Sequence, residues 1–349
     1  MPDTDRQPNE VSASRSGAGA LAPSVSILIA ARNEESTILN CLQAITQLSF
    51  PFDALEVLIG NDQSTDQTAS LVAAYIVDKP QYRLIDITET VDGLRGKANV
   101  LAQLARRANG DYFFFTDADT TVPSDWVHEL LRQLTNPVGI VTGVTLPEGP
   151  RFFHKLQTID WLYNLTVTYL LGAVGIPVTA MGNNMAVSRI AYEAVGGYDA
   201  LPFSVTEDYT LFRAIVQQGY DFRNVLDERV LARTKAVDTL SSFLNQRKRW
   251  MRGAVQLPGW IVTALYLQYL ALPLFILLFW VAPMAAVGLY VVRLMIQTLA
   301  ISVGLSRLRQ TNLWPYALLF DGYQLLIGPL SVLFYWLPTP INWKERNYK

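Results

Sequence analysis

The 349-residue sequence predicts an α/β fold: a mostly parallel sheet with helices on both faces, followed by C-terminal transmembrane helices. Three observations carry this expectation. Short apolar runs alternate with helical periodicity from Ser24 to Leu146, the signature of repeated strand–helix units. Charges fill the first two thirds of the chain and nearly vanish from about Gly253 to Leu337. Mean hydropathy is +0.19, above that of ordinary soluble domains, so part of the chain belongs in lipid or in an unusually large core. The expected division is a tail over 1–23, a soluble domain with interfacial helices over 24–252, a membrane region over 253–340 and a cytoplasmic tail over 341–349.

Taken in order, residues 1–23 are rich in Ser, Ala, Gly, Pro and charge, without the apolar run of a signal peptide. They read as a disordered tail, and the domain behind them is expected to stay in the cytoplasm. Val25–Ala30, Leu55–Gly60, Tyr82–Ile87, Tyr112–Thr116 and Ile140–Leu146 are apolar runs of strand length. Helices are expected between them over Glu34–Leu48, Asp66–Val77, Lys97–Arg107 and Pro123–Leu134, the last with its proline suited to the first turn.

After Pro150 the alternation weakens. Phe152–Leu171 is an aromatic-rich helix, either lying on a membrane and guiding a lipid or packed in the core. Gly182–Ser188 reads as extended, and Thr206–Gln218 and Leu240–Gly253 as helices. Three apolar stretches follow, Pro258–Val281, Met284–Leu305 and Leu313–Leu337, each near the ~20 residues that span a bilayer. Arg307 and Arg309 place the second loop on the cytoplasmic side, and Lys344, Arg346 and Lys349 place the C-terminus there too. Three full crossings cannot satisfy both. One stretch is expected to re-enter or lie in the interface, and the third, with Asp321, Gly322 and Pro329, is the candidate.

Composition excludes several classes. Net charge is −2, and no basic excess points to nucleic acid. The one cysteine, Cys41, forbids an internal disulfide and reads as a small buried hydrophobe. No Cys or His spacing supports zinc, and no nucleophile elbow is present.

In open parallel sheets, ligands bind outside the carboxyl ends of the strands. Three polar clusters fall there: Ala31-Arg32-Asn33-Glu34, Asn61-Asp62-Gln63-Ser64 and Asp117-Ala118-Asp119. Paired carboxylates such as Asp117 and Asp119 suit a hard cation, Mg²⁺ or Mn²⁺, bridging protein to phosphates; they also suit a loop. Asp62 can accept hydrogen bonds from a base or ribose, whereas Asp66 can cap the next helix. Gly93-Leu94-Arg95-Gly96-Lys97 resembles a phosphate-binding turn without P-loop spacing, so Lys97 meets a diphosphate or merely starts a helix. Asp208, in Thr206-Glu207-Asp208, is a general base or a helix N-terminal charge. In Gln246-Arg247-Lys248-Arg249-Trp250, Arg suits phosphate and Trp a stacked sugar, although charge before a membrane span also sets topology.

In order and type, these motifs resemble the family 2 glycosyltransferases. The match runs from Ile29-Ala30-Ala31-Arg32-Asn33-Glu34 through Asn61–Asp66, Gly96-Lys97-Ala98-Asn99 and Asp117-Ala118-Asp119. It continues with Gly182-Asn183-Asn184-Met185-Ala186, Gly196-Gly197-Tyr198-Asp199, Thr206-Glu207-Asp208 and Gln246-x-x-Arg249-Trp250. The last motif is shared by cellulose and hyaluronan synthase-like enzymes and by ceramide glucosyltransferase-like enzymes. The resemblance implies a GT-A, Rossmann-like fold and an inverting transfer from a UDP-sugar. It implies that Asp62 reads the nucleotide, that Lys97 and Asp117 lie near uridine and diphosphate, that Asp119 holds the metal and that Asp208 is the base. Gln246, Arg249 and Trp250 would close over the diphosphate and frame the acceptor. Ala31, Asn33, Glu34 and Ala118 complete the implied donor-binding set.

The expected acceptor is a lipid or lipid-linked saccharide, and the expected place a cell or inner membrane, as an integral protein with its catalytic domain in the cytoplasm. A processive polysaccharide synthase is the alternative, but three apolar stretches are few for a polymer channel shielded from lipid. Many processive members carry membrane helices ahead of the catalytic domain, and none is read here. An inactive membrane-tethered binding protein and a nucleotidyltransferase releasing pyrophosphate are the rivals from other classes.

Overall fold

The computed structural model describes residues 24–91, 93–343 and 346–348. The expected tail over 1–23, Lys344 and Lys349 lie outside the described residues. The first half alternates strand and helix: β1 Val25–Ala31, α1 Ile38–Thr46, β2 Leu55–Asn61, α2 Thr68–Ile76, β3 Tyr82–Asp86, α3 Gly96–Ala105 and β4 Tyr112–Asp117. Then come β5 Thr120–Thr121, α4 Trp126–Leu131, β6 Val138–Thr142, β7 Val144–Glu148, α5 Phe152–Ala173 and β8 Met185–Ser188. The domain closes with α6 Arg189–Ala194, α7 Gly197–Ala200, α8 Glu207–Gln217, β9 Asp221–Asn224, β10 Leu231–Lys235 and α9 Leu240–Ala254.

Seven strands form one sheet in the order β3-β2-β1-β4-β8-β6-β9. β1, β2, β3 and β4 pair in parallel, whereas β8 runs antiparallel to both neighbours. Side chains alternate between two apolar layers, as the period of a strand requires. Ile27, Ile29 and Phe114 pack on one face with Cys41, Leu42 and Trp126. Leu28, Phe113 and Phe115 pack on the other with Val100, Leu101 and Leu104 of α3. The three consecutive phenylalanines are thus buried on both faces, so β4 lies inside the sheet.

Two expectations need correction. Ile140–Leu146 is not one strand. β6 joins the large sheet, and β7 joins a second sheet of order β5-β10-β7. The break falls at Gly143, where a Cβ would overlap the Asn184 side chain. Asn184 occupies that junction because it accepts from Trp126 Nε1 at 2.8 Å and donates to the Val144 and Val230 carbonyls at 2.9 and 2.8 Å. Second, the first helix begins at Ile38, not Glu34. Residues 33–35 instead bond to the loop after β2 and the start of α2.

The apolar region forms α10 Gly259–Tyr269, α11 Ala271–Val281, α12 Pro283–Arg307, α13 Trp314–Ala317 and α14 Phe320–Trp336. Among the described residues, α12 alone is long and apolar enough to cross a membrane as a single helix. α10 and α11 bend by 75°, and residues 311–317 bend by 60° against α14; counting each pair as one span gives up to three. The second bend lies at Leu318–Leu319, ahead of Gly322 and Pro329, which both fall inside α14. Trp280, Val281 and Met284 are more than four fifths exposed, a surface suited to lipid. Two charged residues within these helices are paired with each other: Arg293 of α12 bonds Asp321 and Gln324 of α14, and Tyr290 donates to Asp321.

Candidate active site

The site lies at the carboxyl ends of β1, β2 and β4. In the sheet register Ala31 pairs with Asn61 and Ala30 with Asp117. Asp62 and Asp117 therefore leave strands on either side of β1, about 10 Å apart at the strand spacing. The loop after β1 is zipped to the loop after β2. Asp62 N–H donates to the Ala31 carbonyl at 2.8 Å, and Arg32 donates to the Asp62 carbonyl at 2.6 Å. The Asn33 carboxamide accepts from Thr65 N–H at 2.9 Å, and Glu34 N–H donates to the Thr68 hydroxyl at 2.7 Å. Asn33 and Gln63 hold φ of 52° and 55°, a left-handed conformation that asparagine tolerates better than most residues. Asp62 and Ala31 are buried. Asp66, one residue before the N-cap Gln67, accepts from Thr68 N–H at 2.9 Å at the start of α2.

Across the cleft, charges of both signs converge from four elements. Lys97, in the first turn of α3, is 2.5 Å from Asp117 and 3.1 Å from Glu207. Glu207 and Asp208 open α8, where a helix N-terminus favours carboxylates. The Asp208 carboxylate accepts from Gly182 N–H at 2.9 Å and from Tyr209 N–H at 2.8 Å. Only glycine fits at 182, because a Cβ there would lie 2.7 Å from Asp208 Cβ. Arg249 reaches the cleft from α9 and lines it with Arg95, Lys97, Ala98, Glu207 and Phe203.

The electrostatics follow from this crowding. Burial first, and then Glu207, push the Asp208 carboxyl up to about 6, opposed by Lys97 and the two backbone donors. Burial opposes the charge on Lys97, but Asp117 and Glu207 outweigh it and hold its pKa above the ordinary lysine range. Burial pulls Arg249 down, while Glu207, Asp117, Asp208 and Asp119 oppose that pull. These four carboxylates therefore share one electrostatic neighbourhood around two cations. On the far side of Asp119, burial and then Asp119, Asp117 and Glu34 raise the Cys41 thiol. Cys41 is buried and inert, as the sequence suggests.

The model of glycosyl transferase family 21 matches residues 6–349, nearly the whole sequence. The chain belongs to glycosyl transferase family 21. Among curated relatives, a probable glycosyltransferase, YdaM, of Bacillus subtilis is 29% identical over 241 residues, 66% of this chain and 55% of the relative. The beta-monoglucosyldiacylglycerol synthase of Synechocystis is 27% identical over 240 residues, 67% of this chain and 48% of the relative. The chain thus spans about half the length of the curated relatives it matches. A mannosyltransferase of Pyrobaculum calidifontis, solved in complex with GDP-Man and Mn²⁺, superposes with a TM-score of 0.59. It covers 92% of this chain and 89% of its own at 22% identity, a likeness of fold.

In this glycosyltransferase the sequence-selected residues divide into three groups. Lys97, Asp117, Ala118, Asp119, Asp208 and Arg249 share the cleft neighbourhood; Ala118 itself is buried behind it. Ala31, Asn33, Glu34 and Asp62 form the adjoining loop pair. Gln246 and Trp250 share α9 with Arg249, and Trp250 packs edge-on against Trp161 of α5 at 5.0 Å. Two residues escaped the sequence reading. Glu207 bridges toward Lys97 and Arg249, and Tyr198 lies buried near Glu207, Asp208 and Asp117. Their signal was present in Thr206-Glu207-Asp208 and Gly196-Gly197-Tyr198-Asp199, but nothing local distinguishes a cleft partner from a helix-start charge or a core aromatic.

Proposed function

We propose that this family 21 enzyme transfers a sugar, with inversion, from a nucleoside-diphosphate donor onto a hydroxyl of a lipid acceptor at the membrane surface. The donor is read as a UDP-sugar. The observation that carries the proposal is Asp208, a carboxyl tuned to about 6, facing the same cleft as Lys97 and Arg249 beside the apolar helices.

The chemistry requires a base on one side of the anomeric carbon and charge stabilisation on the other. The acceptor oxygen forms a bond to the anomeric carbon, the bond to the diphosphate oxygen breaks, and the acceptor proton passes to Asp208. A base near 6 is largely ionised at neutral pH yet basic enough to take a proton. Lys97 and Arg249 face the growing negative charge of the leaving diphosphate. Asp62 and the β1–β2 loop pair receive the nucleoside.

Among the described residues, no group of three His, Cys, Asp or Glu could hold a metal ion. Asp119, two residues from Asp117, offers hard carboxylate oxygens, which fits a cation shared with substrate phosphates and water rather than caged by protein. Mg²⁺ or Mn²⁺ bound there would neutralise charge on the diphosphate, with Asp119 as its protein ligand.

The apolar region supports an integral membrane protein whose C-terminal segment returns to the catalytic side. Arg307 and Arg309, at the end of α12, contact Tyr169 and Glu228 of the catalytic domain. The next segment starts there, with Tyr316 against Phe152 at 6.0 Å. It also ends there, where Lys248 of α9 holds the Leu337 carbonyl. A segment with both ends on the catalytic side is re-entrant. Two crossings, by α10–α11 and by α12, then satisfy the basic-residue placement of both the second loop and the C-terminus. The Synechocystis relative, named as a glycolipid synthase, favours a lipid acceptor.

The test is a screen of UDP- and GDP-sugars with membrane lipid extracts and the full chain in bilayers, read by product mass. A singly glycosylated lipid with release of nucleoside diphosphate is expected. Long polymer from donor alone would favour the processive reading; pyrophosphate release would replace transfer by nucleotidyl chemistry.

A further inference from the structure

Three consecutive cations on α9 point three ways, as 100° per residue dictates. Arg247 forms a buried ion pair with Asp160 of α5, its guanidinium 4.7 Å from the rings of both Phe243 and Trp250. Arg249 faces the carboxylates of the cleft. Lys248, between them, is 2% exposed and points away from both. Its ammonium donates to the Leu337 carbonyl at 2.6 Å and to the Thr339 hydroxyl at 2.8 Å, and lies 5.5 Å from the Phe334 ring. Leu337 ends α14, the helix whose other end packs under α5 through Phe320 and Tyr163 at 5.6 Å.

A buried ammonium held by neutral oxygens is costly compared with Leu or Met in the same volume. Its geometric yield is specific. It fixes the roll of α9 about its axis against the last membrane helix, and the roll of α9 sets where the next side chain, Arg249, projects. The Arg247–Asp160 pair fixes the same helix on a face about 100° away, so α9 is held against both α5 and α14.

We propose that Lys248 is a positioning residue that couples the seating of the re-entrant α13–α14 segment to the reach of Arg249 for the donor diphosphate. The proposal rests on the reading of Arg249 as a diphosphate ligand. Lys248 itself touches no reacting atom. Its loss should therefore weaken the part of donor binding that depends on the second phosphate and spare the nucleoside and first phosphate. A purely structural loss would lower all binding together.

The experiment titrates UDP and UMP, with GDP and GMP in parallel, into the full chain in phosphatidylcholine nanodiscs. Wild type, Lys248→Met, Lys248→Arg, Thr339→Val and Arg249→Ala are compared. Lys248→Met is expected to weaken diphosphate binding about five- to tenfold, the scale of one hydrogen bond's net contribution, with monophosphate binding changed less than about twofold. Lys248→Arg should restore most of the difference. Thr339→Val, which removes one acceptor and keeps the lysine, should move diphosphate binding in the same direction by about two- to threefold, and it decides the matter should Lys248→Met not fold. Wild-type diphosphate affinity in both Lys248→Met and Thr339→Val, or an equal loss of diphosphate and monophosphate binding, overturns the coupling. Intact diphosphate affinity in Arg249→Ala would instead refute the reading of Arg249.

Discussion

Asp208→Asn should abolish transfer and at the same time stabilise the protein, by an amount that grows as pH rises from about 4 and is complete above about 6. Asn is a neutral near-isostere of the protonated acid, so the two proteins differ in stability by a pH-independent offset while Asp208 carries its proton. The Asp208 pKa rises from 3.8 to about 6 on folding. A carboxyl whose folded pKa is raised favours the fold below the unfolded value, and that contribution is lost as pH rises through the folded value. Between pH 3.8 and 6 the native state progressively surrenders stability to keep a buried charge beside Glu207. At 1.36 kcal/mol per pH unit this amounts to about 3 kcal/mol. The residue is half-buried, so solvent screening makes this figure an upper bound. The assay is denaturant unfolding of wild type and variant in nanodiscs from pH 4.5 to 8. The gap in favour of the variant should open with a midpoint between 4 and 6 and reach on the order of 1–3 kcal/mol by pH 8. A gap that stays constant across this range would refute the burial and charge assignment of Asp208.

Transfer by wild type should fall on the acid side with a single-proton limb near 6, because Asp208 must be ionised to accept the acceptor proton; kcat/KM against pH checks this. Lys97→Met should slow transfer roughly 10²-fold, the scale of a lost charge stabiliser. Since Lys97 lowers the Asp208 pKa, the same variant should move the acid limb to higher pH, which separates it from simple misfolding. In the membrane region, Arg293→Leu alone should destabilise by about 3–5 kcal/mol by stranding Asp321, whereas the Arg293→Leu, Asp321→Leu double variant should recover most of that loss in thermal unfolding. A double variant as damaged as the single one would contradict the pairing.

β1, β2 and β4 were legible because each is a buried run between turn-forming residues, and the carboxyl-end rule then pointed to Asn33, Asp62 and Asp117 without any contact being known. Legibility failed where partners are far apart in the chain. Ile140–Leu146 looks continuous until Asn184, more than forty residues later, wedges against Gly143 and sends the two halves to different sheets. β9, Asp221–Asn224, is a short polar strand with only Phe222 buried, so no periodicity betrays it. Glu207 is indistinguishable from a helix-start carboxylate until Lys97, on another helix, is seen 3.1 Å away. The topology conflict among the cationic loops was visible in the sequence and pointed to an irregular third stretch. Its bend, however, falls at Leu318–Leu319, where neither Gly nor Pro marks it. In sequence the three cations beside Trp250 form one topogenic or phosphate-binding run; their separate partners arise from helix geometry and from Asp160 and Leu337, distant in sequence.

The central claim is that Asp119 helps hold a cation shared with a nucleoside diphosphate in the cleft of Lys97, Asp208 and Arg249. Calorimetric titration of UDP and GDP into the full chain in nanodiscs, with Mn²⁺ and with chelator, tests it most directly. Tighter diphosphate binding with Mn²⁺ in wild type, lost in Asp119→Asn while monophosphate binding is kept, is the expected result. Metal-independent diphosphate binding, or an Asp119→Asn variant with an undiminished Mn²⁺ effect, would contradict the account.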